Sequence, residues 1–276
     1  MNDFKGNDPL FIYYLLHRID FKSYSGKSGV PGINRNDLHE AIVHIPIRVS
    51  EQRAIADALS DMDTQITTLN EAIAKKRDLK QGTMQRLLTG EERLPGFSGA
   101  WDTDTIANLA SITTGDKNTQ DNIEDGKYPF FVRSANIERI NSYTFDGEAV
   151  LTAGDGVGTG KIFHYIDGKF DFHQRVYKIS NFTDRLDGYY FYLYFSTYFY
   201  DRIMSMTAKS SVDSVRMEMI AGMQIPLPFP TEQRAIATIL KDMDAEISTL
   251  EAQREKTVAL KTGMMQELLT GKTRLV

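Results

Sequence analysis

The segment that most invites a chemical reading is Gly154-Asp-Gly-Val-Gly-Thr-Gly160-Lys161. Glycine-rich turns ending in lysine can cradle phosphates, because bare backbone N–H groups converge on the anionic oxygens. Neither common nucleotide-binding spacing is met. A P-loop needs glycine where Asp155 stands and a hydroxyl residue where Ile162 stands. A dinucleotide fingerprint needs glycine three positions beyond Gly156 or Gly158, where Thr159 and Lys161 stand. What survives is a loop whose amides, with Lys161, suit a phosphate backbone; a plain turn between strands fits the same residues equally well.

Other long polar donors punctuate the same region. His173-Gln174-Arg175 enters a strand-like run, and such side chains suit base edges: arginine reads guanine and glutamine reads adenine. Arg133, Asn136 and Arg139 follow the run YPFFV, while Lys209, Ser210, Ser211 and Arg216 form a second polar stretch able to donate to phosphates. With Lys117 and Lys161 these twelve residues are the candidate DNA-binding set, although ordinary strand ends and loop tips have the same composition. The aromatic run YYFYLYFSTYFY at 189–200 could be imagined as a base-stacking platform, but so dense a run reads more naturally as a core helix. The histidines at 17, 39, 44, 164 and 173 show no metal-ligand spacing, so no metal and no cofactor are expected. Serine-elbow, N-P-P-Y and F-x-G-x-G segments are absent, and no catalytic residues are assigned.

An internal repeat supplies the elements that would position these groups. EQRAIADALSDMDTQITTLNEAIAKKRDLKQGTMQRLLTGEERL at 51–94 and EQRAIATILKDMDAEISTLEAQREKTVALKTGMMQELLTGKTRL at 232–275 agree at 25 of 44 positions without a gap. Upstream the likeness continues more weakly, through Ile45-Pro46 with Ile225-Pro226 and LFIYYLL at 10–16 with GYYFYLYF at 188–195. Ile55, Leu59, Met62, Ile66, Leu69 and Ile73 alternate four and three apart, as do Ile236, Leu240, Met243, Ile247 and Leu250. That spacing predicts two long helices whose seams face a partner helix. Ser50 and Thr231 are the expected N-caps, and Gly90 and Gly271 the expected C-terminal stops. Gly82 and Gly263 recur mid-helix, where glycine costs about 1 kcal/mol, which predicts a close backbone approach, a bend or a frayed last third.

Between the helices the pattern changes. Strand-like runs at 128–133, 147–152, 161–166 and 174–179 are divided by turn signals at Asp125-Gly126, Asp146-Gly147 and Asp167-Gly168. The expected fold is α+β: a mixed, largely antiparallel sheet domain plus two long helices forming an antiparallel coiled-coil spacer. The chain has 276 residues, 41% of them hydrophobic and 25% charged, which suits about two globular domains. It holds no cysteine, no run long enough to span a membrane and no signal-peptide pattern near Met1, from which a cytoplasmic location is expected. The net charge of −5, and 12 basic against 17 acidic residues over 95–230, run against the basic surface usual for a nucleic-acid partner.

The sequence resembles the specificity subunit of type I restriction–modification enzymes. The likeness rests on IPLPFPTEQRAIATIL, DMDAEISTLE and QELLTG with their near-copies in the first half, on RLPGFSGAW, and on HQRVYKI. It implies a target-recognition domain at 91–230, spacer helices at 51–90 and 231–276, and a C-terminal remnant of a first recognition domain at 1–50. It implies double-stranded DNA as ligand, read as one half of a split site. The implied protein partners are methyltransferase subunits and, through them, the restriction and motor subunit. The chain itself would be non-catalytic. Residues 1–50 match only the last third of a recognition domain, which predicts a truncated gene, a split subunit or a portion of a longer chain, and self-association as a homodimer. The competing expectation is a coiled-coil scaffold or inactive remnant that binds partner subunits and no DNA.

Overall fold

Local chemistry starts the first helix, α1 (Pro9–Leu16): the Asp8 side chain accepts from the Leu10 and Phe11 amides, both at 3.0 Å, and Pro9 occupies the first turn. The first heptad run forms α2 (Val49–Thr89). Next come β1 (Asp102–Thr105), α3 (Ile106–Leu109), β2 (Ser111–Thr114), β3 (Tyr128–Phe131), β4 (Glu138–Ile140), β5 (Phe145–Ala153), β6 (Phe163–Phe172) and β7 (Val176–Ser180). The aromatic run lies in α4 (Gly188–Ser205), followed by α5 (Met217–Ala221), β8 (Gln224–Leu227) and α6 (Pro230–Leu268). The computed structural model describes residues 3–21, 39, 41–206 and 214–275. By its contacts the chain forms two compact units, Met1–Leu79 with Asp244–Val276, and Lys80–Met243.

In the first unit, residues 49–79 of α2 run antiparallel to residues 244–268 of α6. Ion pairs fix that direction: Asp63 to Lys261 at 2.5 Å, Lys76 to Glu246 at 2.5 Å, and Arg77 to Glu251. Ile55, Ala56 and Leu59 share a buried cluster with Phe11, Tyr14 and Leu15 of α1 and with Leu268 and Leu269. Farther along, Leu69, Ile73 and Ile247 are buried, while Met62, Ile66 and Leu250 are half-buried.

The second unit is built on a six-stranded sheet of order β2-β7-β5-β6-β3-β4, antiparallel throughout except for the β3–β6 pair, with β1 and β8 forming a separate antiparallel pair. Side chains alternate across it. Val150 and Ile179 join the α4 residues Tyr190, Phe191, Phe195, Phe199 and Ile203 in one core, whereas Ala149, Leu151, Phe131, Phe170 and Phe172 form a second cluster. Phe191, Phe195 and Phe199, four apart, stack in sequence at centroid distances of 5.2 and 4.4 Å, so the aromatic run is a core helix.

Four expectations change. Asp146-Gly147 and Asp167-Gly168 are not turns: Gly147 and Gly168 face each other inside the β5–β6 ladder with φ of +142° and +141°, a backbone only glycine tolerates easily. Ser50 and Thr231 are not N-caps, because the helices start earlier. Pro230, lacking an N–H, begins α6, and the Phe229 carbonyl accepts from Glu232 and Gln233 at 2.8 and 3.0 Å. Gly82 and Gly263 mark neither a break nor a close approach. Both helices run through them, with open space at Gly263 and only the Arg86 guanidinium 3.7 Å from a Cβ at Gly82. Finally, Ile236 and Leu240 serve the sheet domain's core together with Leu87 and Leu88, and Met243 lies half-buried against it. Gly90 and Gly271 do end their helices, at φ +74° and +73°.

Candidate nucleic-acid interface

The glycine-rich segment is the connection between β5 and β6, and its own hydrogen bonds shape it. The Gly154 amide donates to the Arg175 carbonyl at 2.8 Å, and the Gly154 carbonyl accepts from Val215 at 2.7 Å. The Gly156 carbonyl accepts from the Thr159 amide at 3.1 Å and the Thr159 hydroxyl at 2.6 Å. Lys161 and Ile162 both donate to the Gly158 carbonyl, at 3.0 and 3.1 Å. Gly160 has φ +69°, and a Cβ there would lie 2.3 Å from Ile203 Cδ1, so the knuckle sits directly on α4. The Lys161 ammonium rests 5.1 Å above the Tyr200 ring, which leaves the exposed lysine tethered but charged.

Asp155, inside this knuckle, holds two guanidinium groups. Arg133 donates to its Oδ1 at 2.8 Å and Arg175 to its Oδ2 at 3.1 Å. Both arginine side chains remain substantially exposed, so one carboxylate fixes two cations and leaves a net positive charge facing solvent. Beside them Gln174 Nε2 donates to Asn118 Oδ1, and the Gln174 amide donates to the Lys117 carbonyl at 2.9 Å. Lys117, half-buried, bridges to His173 through the backbone and lies 3.5 Å from Asp116. A groove of about 740 Å³ opens alongside, lined by Thr119, Val132, Arg133, Glu138, Val157 and Ile162 among others.

The candidate residues therefore divide. Arg133, Lys161, Gln174 and Arg175 present exposed donors around the β5–β6 knuckle, with Lys117 at its margin. His173 is only 5% exposed; its Nδ1 accepts the Arg175 amide at 2.9 Å, so the ring shapes the loop from within. Burial, followed by the nearby Arg133 charge, holds its pKa below the ordinary histidine value. Arg139 is turned to structural use, donating from Nε to the Gly126 carbonyl at 2.9 Å and from NH2 to the Lys127 carbonyl at 3.0 Å. Asn136 is exposed and its carbonyl accepts from Ser134 at 3.0 Å; Arg216 is exposed immediately before α5. Lys209, Ser210 and Ser211 lie outside the described residues. Sequence reasoning missed Asp155 and Asn118. Asp155 was visible as a carboxylate embedded among glycines.

An α+β chain with paired long helices and an exposed cluster of guanidinium and amide donors, gathered from several strand connections around Asp155, has the form of a recognition protein. The sequence matches the family described as "Type I restriction modification DNA specificity domain" over residues 1–76 and 99–260, and the chain belongs to that family. It is 31% identical over 172 residues to the "Type I restriction enzyme EcoDI specificity subunit" of Escherichia coli, covering 62% of this chain but 37% of that protein. It is 25% identical over an alignment of 304 positions, gaps included, to the "Type I restriction enzyme MjaVIII specificity subunit" of Methanocaldococcus jannaschii, covering 97% of this chain and 71% of that one. The fold is similar to that of the type I restriction–modification system S subunit from M. genitalium, with a TM-score of 0.71 at 17% identity over 95% of this chain and 74% of the other. Among the described residues no helix is long and apolar enough to cross a membrane.

Proposed function

We propose that this chain reads one half of a split DNA target for a type I restriction–modification system and performs no chemistry itself. Residues 91–230 act as the target-recognition domain and the long helices as spacers that also receive methyltransferase subunits, through which the restriction subunit is directed to the site. The observation that carries the reading is the Arg133–Asp155–Arg175 arrangement, in which the arginines of the β3–β4 and β6–β7 connections meet Asp155 of the β5–β6 knuckle, with Gln174, Lys161 and Lys117 around it, in a member of the specificity family. Two guanidinium groups held apart by one carboxylate can turn to phosphate or guanine without first being assembled.

Two measurements test this. Comparing modified sites in cells with and without the gene should show one bipartite methylated motif that depends on it; an unchanged set of sites defeats the reading. With the motif known, replacing Arg133 and Arg175 by alanine in the complex with its methyltransferase partner should weaken duplex binding at least tenfold at 0.15 M salt and flatten its salt dependence. Equal binding by variant and parent would move the interface elsewhere.

A further inference from the structure

The tip of the β5–β6 knuckle holds a side chain that the charged contacts leave unused. Val157 is wholly in solvent, at 102% of its reference exposure, although apolar groups gain free energy by leaving water. Flexibility does not explain its position. The Gly156 carbonyl is bonded twice by Thr159, the Gly158 carbonyl is bonded by Lys161 and Ile162, and a Cβ at either Gly158 or Gly160 would meet the end of an isoleucine side chain. At Gly158 that Cβ would lie 2.0 Å from Ile162 Cδ1. The knuckle is thus tightly folded beneath a valine it pushes outward. Two residues before it, Asp155 anchors Arg133 and Arg175.

Resting on the DNA-reading function above, we propose that Val157 is a specificity-determining residue that meets the C5 methyl group of a thymine in the major groove of the half-site. Valine offers two methyl groups and no hydrogen bond, so among base edges it can reward only the one apolar feature, the thymine methyl. Its side chain is shorter than the Phe, Leu, Ile or Met wedges that unstack base steps. The flanking guanidinium groups supply phosphate contacts that press the knuckle against the groove. Because the loop is already folded, the contact costs little ordering.

The test crosses two methyl deletions. The complex with its methyltransferase partner is titrated with duplexes carrying the methylome-defined site, in which each thymine is replaced in turn by uracil, which lacks only the methyl. One replacement should weaken binding by the parent about fourfold, the loss expected for one buried methyl contact. Val157→Ser should bind the parent site correspondingly less well and should be indifferent to uracil at that position. Val157→Thr, which keeps the branched shape and one methyl, should fall between. Position 157 is exposed, so unchanged thermal unfolding confirms that both variants are folded. Equal sensitivity of parent and Val157→Ser to every uracil overturns the proposal while leaving DNA recognition intact. Failure of the parent to prefer its site over random duplex overturns the DNA-reading function and this inference with it.

Discussion

His173 stands beside the residues proposed to touch DNA, yet its ring is nearly inaccessible and accepts the Arg175 amide on Nδ1. A backbone N–H can only donate, so Nδ1 must be unprotonated and the neutral ring carries its proton on Nε2. Burial and the Arg133 charge lower the folded pKa, and burial lowers that of His164 as well. The unfolded chain then binds protons more readily than the folded one. Stability is complete above the ordinary histidine value of 6.5 and is lost as pH falls from there through the folded values. Thermal unfolding followed between pH 7.5 and 5.5 should show a falling midpoint. His173→Asn, whose amide oxygen can still accept from Arg175, should reduce that fall; an identical pH profile in the variant would mean the ring titrates freely. Arg139 makes a complementary case, because its Nε and Nη2 donate to the Gly126 and Lys127 carbonyls. Arg139→Ala should cost about 1 kcal/mol in chemical denaturation and leave duplex affinity within twofold.

At the scale of elements, the repeated E-Q-R-A-I-A start has a physical meaning. Gln233 is fully buried; its Oε1 accepts the Asp187 amide at the head of α4, and its Nε2 donates to the Arg185 and Pro228 carbonyls, each at 2.8 Å. Gln52 repeats this at the head of α1, accepting from the Asp8 amide and donating to Asn7 and the Pro46 carbonyl, each at 2.8 Å. The preceding glutamates repeat as well: Glu232 receives Nε and Nη2 of Arg93 at 2.6 and 2.7 Å, and Glu51 receives Nε and Nη2 of Arg274 at 2.5 and 2.6 Å. Each long helix therefore begins in a clasp that ties an aromatic helix, the segment leading into the long helix and an arginine beyond the end of the other long helix. Gln233→Ala would strand buried donors and acceptors at Asp187, Arg185 and Pro228, and should destabilise the chain by about 2–3 kcal/mol in urea titration. A loss below 0.5 kcal/mol would mean water replaces the amide freely. The clasp was not legible in the sequence, because its partners lie from five to more than two hundred residues away and chemistry alone does not pair them. The helices were legible, since a heptad is a local pattern. Asp146-Gly147 and Asp167-Gly168 were misread because the same dipeptide serves a hairpin turn or a glycine pair within a ladder, and only cross-strand register distinguishes them.

Over the whole molecule, the net charge of −5 opposes a polyanionic ligand at long range, while the exposed cations around the β5–β6 knuckle favour it at short range. The two effects have different signatures. Repulsion from distributed acidic groups is screened beyond about 8 Å at physiological salt and mainly slows encounter. Phosphate contacts release counterions and set the slope of log affinity against log salt, about 0.9 for each contact. If Arg133, Lys161, Arg175 and Arg216 each meet a phosphate, this chain contributes a slope of roughly −3 to −4 to the complex. Arg133→Ala and Arg175→Ala should each remove about one unit, and Val157→Ser should remove none. Asp155→Asn should act oppositely: releasing both guanidinium groups from their carboxylate raises affinity for random duplex and narrows the preference for the target. That change separates a recognition device from a merely sticky surface, because in a sticky surface Asp155→Asn would strengthen target and random binding in equal proportion.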